Sequence, residues 1–431
     1  MYNSVGCDFL NDIVIIGGGA AGLNAALSAS FILKDTDYDV TVIEKNSRPA
    51  RKLMITGKGR CNVTNNCDVN TLIANTPKNG KFLYSAFSNF TSLDTMSYFE
   101  SLGVPLKTER GNRVFPVSDK AVDIVDALVE PVKKQCKVIE GTVKSVLTEN
   151  GKVKAVKLID GSVINTKCVI IATGGMSYPL TGSTGDGYRM AKELGHTVTD
   201  LKPSLVPLVC HEGFCSKLAG LSLKNVTLSV FESEKKKPIF RELGEMLFTH
   251  FGISGPLTLS ASSHMRYMDT KSYYAEIDLK PALSEEQLDK RILRDFGDEL
   301  NRDFSNSLDK LLPKSIIPII VSNSNIPSNI KVNQISKEQR KKLIECIKHF
   351  KLNITGFRPI EEAIITSGGV SVKEIDPKTM QSKKTHGLYF AGEIIDVDAY
   401  TGGFNLQIAF STGFLAGESA SRKILGEENS L

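Results

Sequence analysis

The chain has 431 residues, of which 41% are hydrophobic and 23% charged, and it carries a formal net charge of +5. That length carries two or three domains, and that composition excludes a disordered or fibrous chain. Lys and Arg are scattered, and the densest run, Lys235-Lys236-Lys237, reads as a solvated hairpin-like turn rather than a nucleic-acid patch.

The first predicted unit is βαβ, from Asp12 to Glu44. The β-branched run DIVII ends in Gly17-Gly18-Gly19-Ala20-Ala21-Gly22, a G-x-G-x-x-G placed where a strand hands over to a helix. A second strand, VTVIE, ends on Glu44 at the spacing of a ribose contact. Gly17 permits the tight turn, Gly19 lets the backbone approach a pyrophosphate, and Gly22 lets helix and strand pack closely. The helix start supplies free N–H groups and a positive dipole end. An ordinary Gly-rich turn would not need strand, helix and acid together. Lys45 to Asn65 is polar, contains TGKGRCNVTN, and reads as a functional loop. Phe82 to Leu102 and Ala121 to Lys134 read as amphipathic helices. From Lys137 to Ala172, β-branched runs are separated by Glu149-Asn150-Gly151-Lys152 and Asp160-Gly161-Ser162, which are hairpin signals. They predict a small antiparallel meander ending in a buried strand, Cys168 to Ala172, that stops at Thr173-Gly174-Gly175.

Pro203 to Pro281 is β-rich, with LVPLV, VTLSVF and YYAEIDL, and predicts an inserted sheet or small barrel. Leu288, Ile292, Phe296, Leu300 and Phe304 recur at helical spacing. Ser336 and Gln339 form a capping box for a further helix carrying Leu343, Ile347 and Phe350. These stripes read as the core of a small helical module. Gly387 to Glu393 is then a buried strand ending at a glycine, Asp396 follows in a polar turn, and Gly402-Gly403-Phe404-Asn405 opens an apolar helix. No second G-x-G-x-x-G follows a strand. The expected fold is therefore α/β, with one discontinuous Rossmann-like domain (1–203 and 371–431), an inserted β-barrel-like substrate or cap domain (204–283 and 352–370), and a small helical domain (284–351).

Three features favour FAD over a nicotinamide as the resident dinucleotide. The meander is superfluous in a plain nicotinamide dehydrogenase. The G-E-x-x-D turn at Gly392 to Asp396 suits a ribityl-phosphate end. The helix starting near Asn405 can aim free N–H groups at an isoalloxazine edge, where reduced flavin carries negative charge. All three fall at strand ends on one side of one predicted sheet, where α/β ligands bind. The eight cysteines include no C-x-x-C pair and no convincing His cluster, so no metal is expected. No room for a signal peptide precedes the first strand, and no apolar run approaches the roughly 20 residues that span a bilayer. The expectation is a soluble, cytoplasmic protein.

With these motifs the chain resembles the BaiN/RdsA-like family of three-domain bacterial flavoproteins, described as NAD(P)/FAD-dependent oxidoreductases. The carriers are IIGGGAAGLNAA (from Ile15), GKGRCNVTN (from Gly57), IATGGMSYPLTGSTGDGYRMAKELGH (from Ile171), LFTHFGISGP (from Leu247), TSGGV (from Thr366) and LYFAGEIIDVDAYTGGFNLQIAFSTG (from Leu388). The ATGG segment with GDGYRMAKELGH is also similar to flavoproteins of the fumarate-reductase group. The resemblance implies non-covalent FAD, with Gly17, Gly19, Ala20, Ala21 and Gly22 at the pyrophosphate and Glu44 and Lys45 at the adenosine ribose. It implies adenine beside the Val143 backbone, and Ala172, Thr173 and Gly174 along the adenosine side. Gly59, Arg60, Cys61 and Asn62 would approach the flavin, while Lys52, Gly392, Glu393, Gly403, Asn405 and Leu406 would complete the cofactor site. One departure is Lys58, where the family reads glycine. Its ammonium either points to solvent or contacts the cofactor or an anionic substrate group.

For chemistry beside the flavin, His250, Tyr400 and Arg60 are the candidates. His250 could protonate a substrate carbon, and Tyr400 could reach the ring; each also has a plain structural reading. Cys61 reads as a packing thiol rather than half of a catalytic disulfide. The implied activity is reduction of a conjugated C=C bond, enone-type and 3-oxo bile-acid-like, with NAD(P)H as a transient electron donor. An O₂-using amine or aminoketone oxidase is the alternative, and a tRNA-modifying flavoprotein is a third reading. The expected partner is a small-molecule substrate, with no nucleic acid and no membrane; oligomeric state stays open.

Overall fold

In a computed structural model, which describes residues 10–427, the β-branched opening run forms a central strand, Leu10–Ile16. Val40–Glu44 pairs with it on one side and Val163–Ile171 on the other, both parallel (Ile13↔Val40 and Ile13↔Cys168). Lys137–Glu140 extends the sheet beyond Val40–Glu44, and Leu388–Phe390 lies beside the last residues of Val163–Ile171, again parallel. Strands buried on both faces read as continuous apolar runs, and Ile13, Ile15, Val42, Val169 and Ile170 are fully buried.

The meander differs from the sequence expectation. Lys137–Glu140 belongs to the parallel sheet, so the antiparallel part is only Val143–Glu149, Lys152–Leu158 and the first half of Val163–Ile171. The last of these is itself a central strand, because Cys168 to Ile171 is too apolar to leave at an edge. The Asn150-Gly151 turn is as its residues dictate, with φ of 51° and 74°. The stretch from Phe82 to Leu102 is not one helix. It breaks at Phe90, where Thr91 caps Ser92–Ser101 through a capping box with Asp94. A three-stranded sheet of Thr64–Asn65, Arg113–Pro116 and Leu106–Glu109 carries no strong sequence signal.

The first helix, Ala20–Ile32, lies against the C-terminal helix, Phe404–Leu425. A Cβ on Gly413 would sit 2.3 Å from the Ala21 carbonyl oxygen, and one on Gly417 2.2 Å from that of Ala25. Backbone therefore meets backbone, and Asn24 Nδ2 and Ser28 Oγ donate across the seam to the Phe410 and Phe414 carbonyls at 2.7 and 2.9 Å. Gly417→Val forces the helices apart and breaks these bonds. An expected loss of about 3 kcal/mol is read as a fall in urea midpoint; an unchanged midpoint would refute the close seam.

The molecule divides into two compact units, residues 10–203 with 364–427, and residues 204–363. The second holds a closed antiparallel barrel in the order Leu208–Cys210, Gly252–Ser254, Phe240–Thr249, Ser222–Glu232, Tyr273–Asp278, Phe350–Phe357, closed by Leu208↔Phe357. Helices Glu285–Gly297, Ile317–Asn323 and Lys337–Lys348 share one apolar core with it. The predicted capping box at Ser336 and Gln339 is present. Two stripe ends are corrected. The first helix stops at Gly297, leaving Leu300 exposed while Phe304 re-enters the core from a short turn. Phe350 is a barrel residue, because burial inside the barrel competes successfully for it. Among the described residues no helix is long and apolar enough to cross a membrane.

Candidate cofactor site

The parallel strands end together at Ile16, Glu44, Glu140, Ile171 and Phe390, so their carboxyl edge gathers the turns read from the sequence. Gly17 has φ +105°, and a Cβ there would lie 2.6 Å from the Ala172 carbonyl oxygen. A Cβ on Gly22 would lie 1.9 Å from the Gly17 carbonyl oxygen, whereas one on Gly19 would meet nothing within 4 Å. The turn is thus closed on its protein side and open at Gly19. Gly19 caps the helix without a side-chain bond, and no acid occupies the first turn, so the start beside Ala20 and Ala21 is free to take an anion.

Glu44 is nearly buried. Its Oε2 accepts from the Gly18 N–H at 2.7 Å and its Oε1 from Asn46 N and Nδ2 at 2.8 and 2.6 Å. This aims the carboxylate at the glycine turn. Lys45 pairs with Asp186 at 2.7 Å and with Thr184 at 2.5 Å. Burial pushes the Asp186 carboxyl up, but the Lys45 and Thr184 hydrogen bonds outweigh it and hold the group low. Gly141 N–H donates to the Glu44 carbonyl, which brings the strand starting at Val143 to the same edge. Ala172 N–H donates to Ile16 O, and Gly174 takes φ +72°. Thr173 Oγ1 is buried with no hydrogen-bond partner among the described residues.

The second turn docks on the first helix, since a Cβ on Gly392 would fall 2.8 Å from the Ala21 Cβ. Glu393 is clamped. Its Oε2 accepts from Lys52 Nζ at 2.7 Å, and its Oε1 from Thr366 N at 2.8 Å and Ser177 Oγ at 3.1 Å. Ser177 and Thr366 were invisible as partners of Glu393 in the sequence, although TSGGV carried a signal at Thr366. The loop of Arg60 meets the start of the C-terminal helix. A Cβ on Gly403 would lie 2.3 Å from Thr64 backbone, and Asn65 Nδ2 donates to Gly402 O at 3.0 Å. Gly403 caps that helix without a side-chain bond. Leu406 is half-buried. Asn405 turns back, accepting from Ala399 N at 2.9 Å and donating to Ala399 O at 2.8 Å, so it braces the turn before Tyr400. Asn62 Oδ1 is buried and has no hydrogen-bond partner among the described residues. An open glycine cradle, two uncapped helix starts and two orphaned buried oxygens on one edge fit a long anionic dinucleotide whose far end donates hydrogen bonds.

Arg60 is committed elsewhere. It bonds Glu109 at 2.5 Å and Asp119 at 2.8 Å, and its guanidinium lies 4.2 Å over Phe115. Hydrogen bonds to Glu109, then Asp119, raise its already high pKa, so it positions the loop and is a poor proton donor. Burial pushes the Cys61 thiol up to about 12, which removes it as a thiolate. The described cysteines are all free. His250 belongs to the second unit, exposed at the turn between Phe240–Thr249 and Gly252–Ser254, with its ring 4.9 Å from Phe251.

Gly57, Lys58, Gly59 and Cys61 all take φ between 56° and 82°, and a Cβ on Gly59 would meet nothing within 4 Å. Lys58 is exposed. A left-handed lysine is strained, so Lys58→Gly is expected to stabilise by about 1 kcal/mol, measured as a higher melting temperature. A Lys58→Met variant with unchanged flavin affinity and kinetics would dismiss any contact of the ammonium with cofactor or substrate.

The HI0933-like protein Rossmann domain family matches residues 11–419. A 3-dehydro-bile acid delta(4,6)-reductase of Clostridium scindens is 30% identical over 96% of this chain and 100% of its own length. A ribosomal RNA dihydrouridine synthase of Haemophilus influenzae is 31% identical, covering 95% and 98%. One of Escherichia coli is 28% identical, covering 94% and 96%. In fold, the chain is similar to the 3-ketosteroid delta1-dehydrogenase of Sterolibacterium denitrificans, with a TM-score of 0.52, 12% identity, and coverage of 96% and 100%. The chain belongs to the HI0933-like Rossmann family and is a flavoprotein oxidoreductase with an FAD-binding Rossmann fold.

Proposed function

We propose that this protein reduces a carbon–carbon double bond conjugated to a carbonyl, with electrons drawn from NAD(P)H. The observation that carries this reading is the full-length similarity to relatives whose names describe one transformation on unlike scaffolds. A 3-oxo-4,6-diene and a uracil ring both present a C=C bond conjugated to a carbonyl, and both gain two hydrogens across it. Bound FAD supplies the two-electron redox chemistry. This chain's residues supply the rest. The glycine cradle, Glu44, Lys45, Val143 and Ala172–Gly174 hold the adenosine half. Lys52, Gly392 and Glu393 fix the middle turn. Gly59–Asn62 and Gly403–Leu406 address the ring, with Arg60 anchoring its loop. Tyr400 and His250 are the candidates to hold the proton that completes the reduction. The described residues form one Rossmann sheet, so NAD(P)H would visit transiently.

The test is anaerobic mixing. NADH or NADPH should bleach the flavin, and a 3-oxo-4-ene steroid or a uracil-containing RNA should restore its colour. Bleaching by an amine alone, with peroxide formed in air, would overturn the reading in favour of an oxidase. A second reading narrows the substrate to a uracil in ribosomal RNA, because two of the relatives carry that name across nearly the whole chain. It widens the expected partner from a small molecule to nucleic acid. Its product is an RNA heavier by two hydrogens at one uracil, measured by mass spectrometry.

A further inference from the structure

We infer that Gln407 is a positioning residue for the flavin: its side-chain amide, in the first turn of the C-terminal helix, sets the loop of residues 57–65 against the start of that helix. This rests on the reading above that Gly59–Asn62 and Gly403–Leu406 address the flavin ring. Gln407 is fully buried, and its amide makes all four hydrogen bonds open to such a group. Oε1 accepts from Thr64 Oγ1 at 2.5 Å and from Thr95 Oγ1 at 2.9 Å. Nε2 donates to Phe90 O at 3.0 Å and to Ser411 Oγ at 2.9 Å. The Phe90 carbonyl can only accept, which fixes the nitrogen end of the amide. Ser411 Oγ in turn donates to Phe90 O at 2.6 Å and closes the network. Thr64, Thr95 and Ser411 are themselves fully buried, so bulk water does not compete for these groups.

The amide joins three segments that are far apart in the chain. They are the short strand Thr64–Asn65, the break at Phe90 and Thr91 between two helices, and the helix Phe404–Leu425. Burying an amide costs more than burying an apolar side chain of similar size, and a fully satisfied network of this kind specifies one arrangement of the segments it joins. Its members do not depend on Gln407 equally. Thr95 Oγ1 has a second acceptor in Thr91 O at 3.1 Å, and Phe90 O keeps Ser411 as a donor. Among the described residues Thr64 Oγ1 has no acceptor but Gln407. The loop is therefore the segment that answers to this amide. Asn62, whose Oδ1 is buried and unpartnered among the described residues, lies two positions before Thr64. The Thr64 backbone is also what Gly403 packs against, 2.3 Å from where its Cβ would be. A shift of Thr64 thus moves Asn62 relative to the open helix start. Gln407 has no exposed surface with which to touch a cofactor, so it acts through Thr64.

The experiment uses the full-length, flavin-loaded protein. Release of FAD on dilution, read as the rise in its fluorescence, gives the affinity; a dye-linked redox titration gives the flavin potential; urea unfolding gives stability. Thr64→Val, which keeps the shape and removes only the hydroxyl, and Gln407→Leu should each weaken FAD binding about tenfold. Reduced flavin carries the negative charge that the helix start meets, so it should lose about tenfold more affinity than oxidised flavin, a fall of about 30 mV in the two-electron potential. Ser411→Ala is the control, because it removes a bond of the same buried network that does not reach the loop. Its urea midpoint should fall like that of Thr64→Val, while its FAD affinity and potential stay at wild-type values. Thr64→Val decides the question where Gln407→Leu does not fold. Thr64→Val protein that loses stability but keeps wild-type FAD affinity and potential makes the network plain core and overturns the proposal. So does Ser411→Ala protein that loses FAD in the same proportion, since the effect then follows softening of the core and not the loop. Failure of the ring reading itself shows separately, as Asn62→Ala protein with wild-type FAD affinity and potential.

Discussion

Gly19→Asp is expected to give a folded protein that purifies without its yellow cofactor. Nothing lies within 4 Å of a Cβ at this position, and φ is −84°, so the backbone accepts a side chain without strain. An aspartate there becomes the N-cap of Ala20–Ile32 and satisfies N–H groups that the chain leaves open. Capping and the helix dipole together should add about 0.5 to 1 kcal/mol to the stability of the cofactor-free protein. The same carboxylate occupies the place where a pyrophosphate would sit. Two like charges about 4 Å apart repel by about 4 kcal/mol at a near-surface dielectric, a loss of about a thousandfold in affinity. Flavin absorbance of the purified variant and its melting temperature are the measurements. Gly22→Ala is the contrast, because its added carbon would lie 1.9 Å from backbone oxygen and must displace the turn. That variant should lose stability together with colour. A Gly19→Asp protein that retains stoichiometric flavin would show that the cofactor does not use this turn.

Glu393→Ala should cost about 3 kcal/mol of stability, the lower end for breaking a buried ion pair because both partners keep some contact with water. The carboxylate accepts from the Lys52 ammonium, the Thr366 N–H and the Ser177 hydroxyl. Truncation leaves an ammonium with 24% side-chain exposure beside no counter-charge, and an amide hydrogen with no acceptor. Replacing both charges, Lys52→Met with Glu393→Gln, should recover more than half of that loss, because no ion is then stranded. Urea unfolding followed by far-UV circular dichroism reads the difference. Should Glu393→Ala unfold at the wild-type midpoint, the clamp contributes nothing and the turn at Gly392 is held by its other bonds, among them the Gly392 N–H donated to Thr412 Oγ1 at 2.9 Å.

How much of the site was legible follows from what each residue answers to. Gly22 and Glu44 answer to neighbours within one βαβ unit whose strand and helix periods are plain, and Gly17 answers both to its own left-handed backbone and to the distant Ala172 carbonyl. Gly403 and Arg60 were placed by resemblance, but their contacts were not readable. Gly403 is glycine because Thr64 passes 2.3 Å from where its Cβ would be, more than three hundred positions earlier in the chain. Arg60 reads as chemistry in the sequence and is held by Glu109, on a small sheet with no strong pattern of its own, and by Asp119, just after that sheet. The side-chain amide of Asn405 braces the turn before it, a role no local pattern shows. In the second unit, Lys and Arg are scattered along the sequence. Phe231, Tyr274 and Lys351 come from three separate strands, and only the barrel register sets them side by side.

The sequence by itself determined the element types, the glycine turn and its acid, and the dinucleotide class, because these depend on side-chain period and local backbone freedom. It also determined the interruption of one sheet by foreign segments, since the apolar strand pattern stops and resumes. Only the tertiary structure decided that Lys137–Glu140 joins the parallel sheet, that the last stripe residue Phe350 enters the barrel, and which partners neutralise Lys45, Lys52 and Arg60. Those choices are settled by competition between distant segments for the same buried surface and the same hydrogen-bonding groups, and no window along the chain contains both competitors.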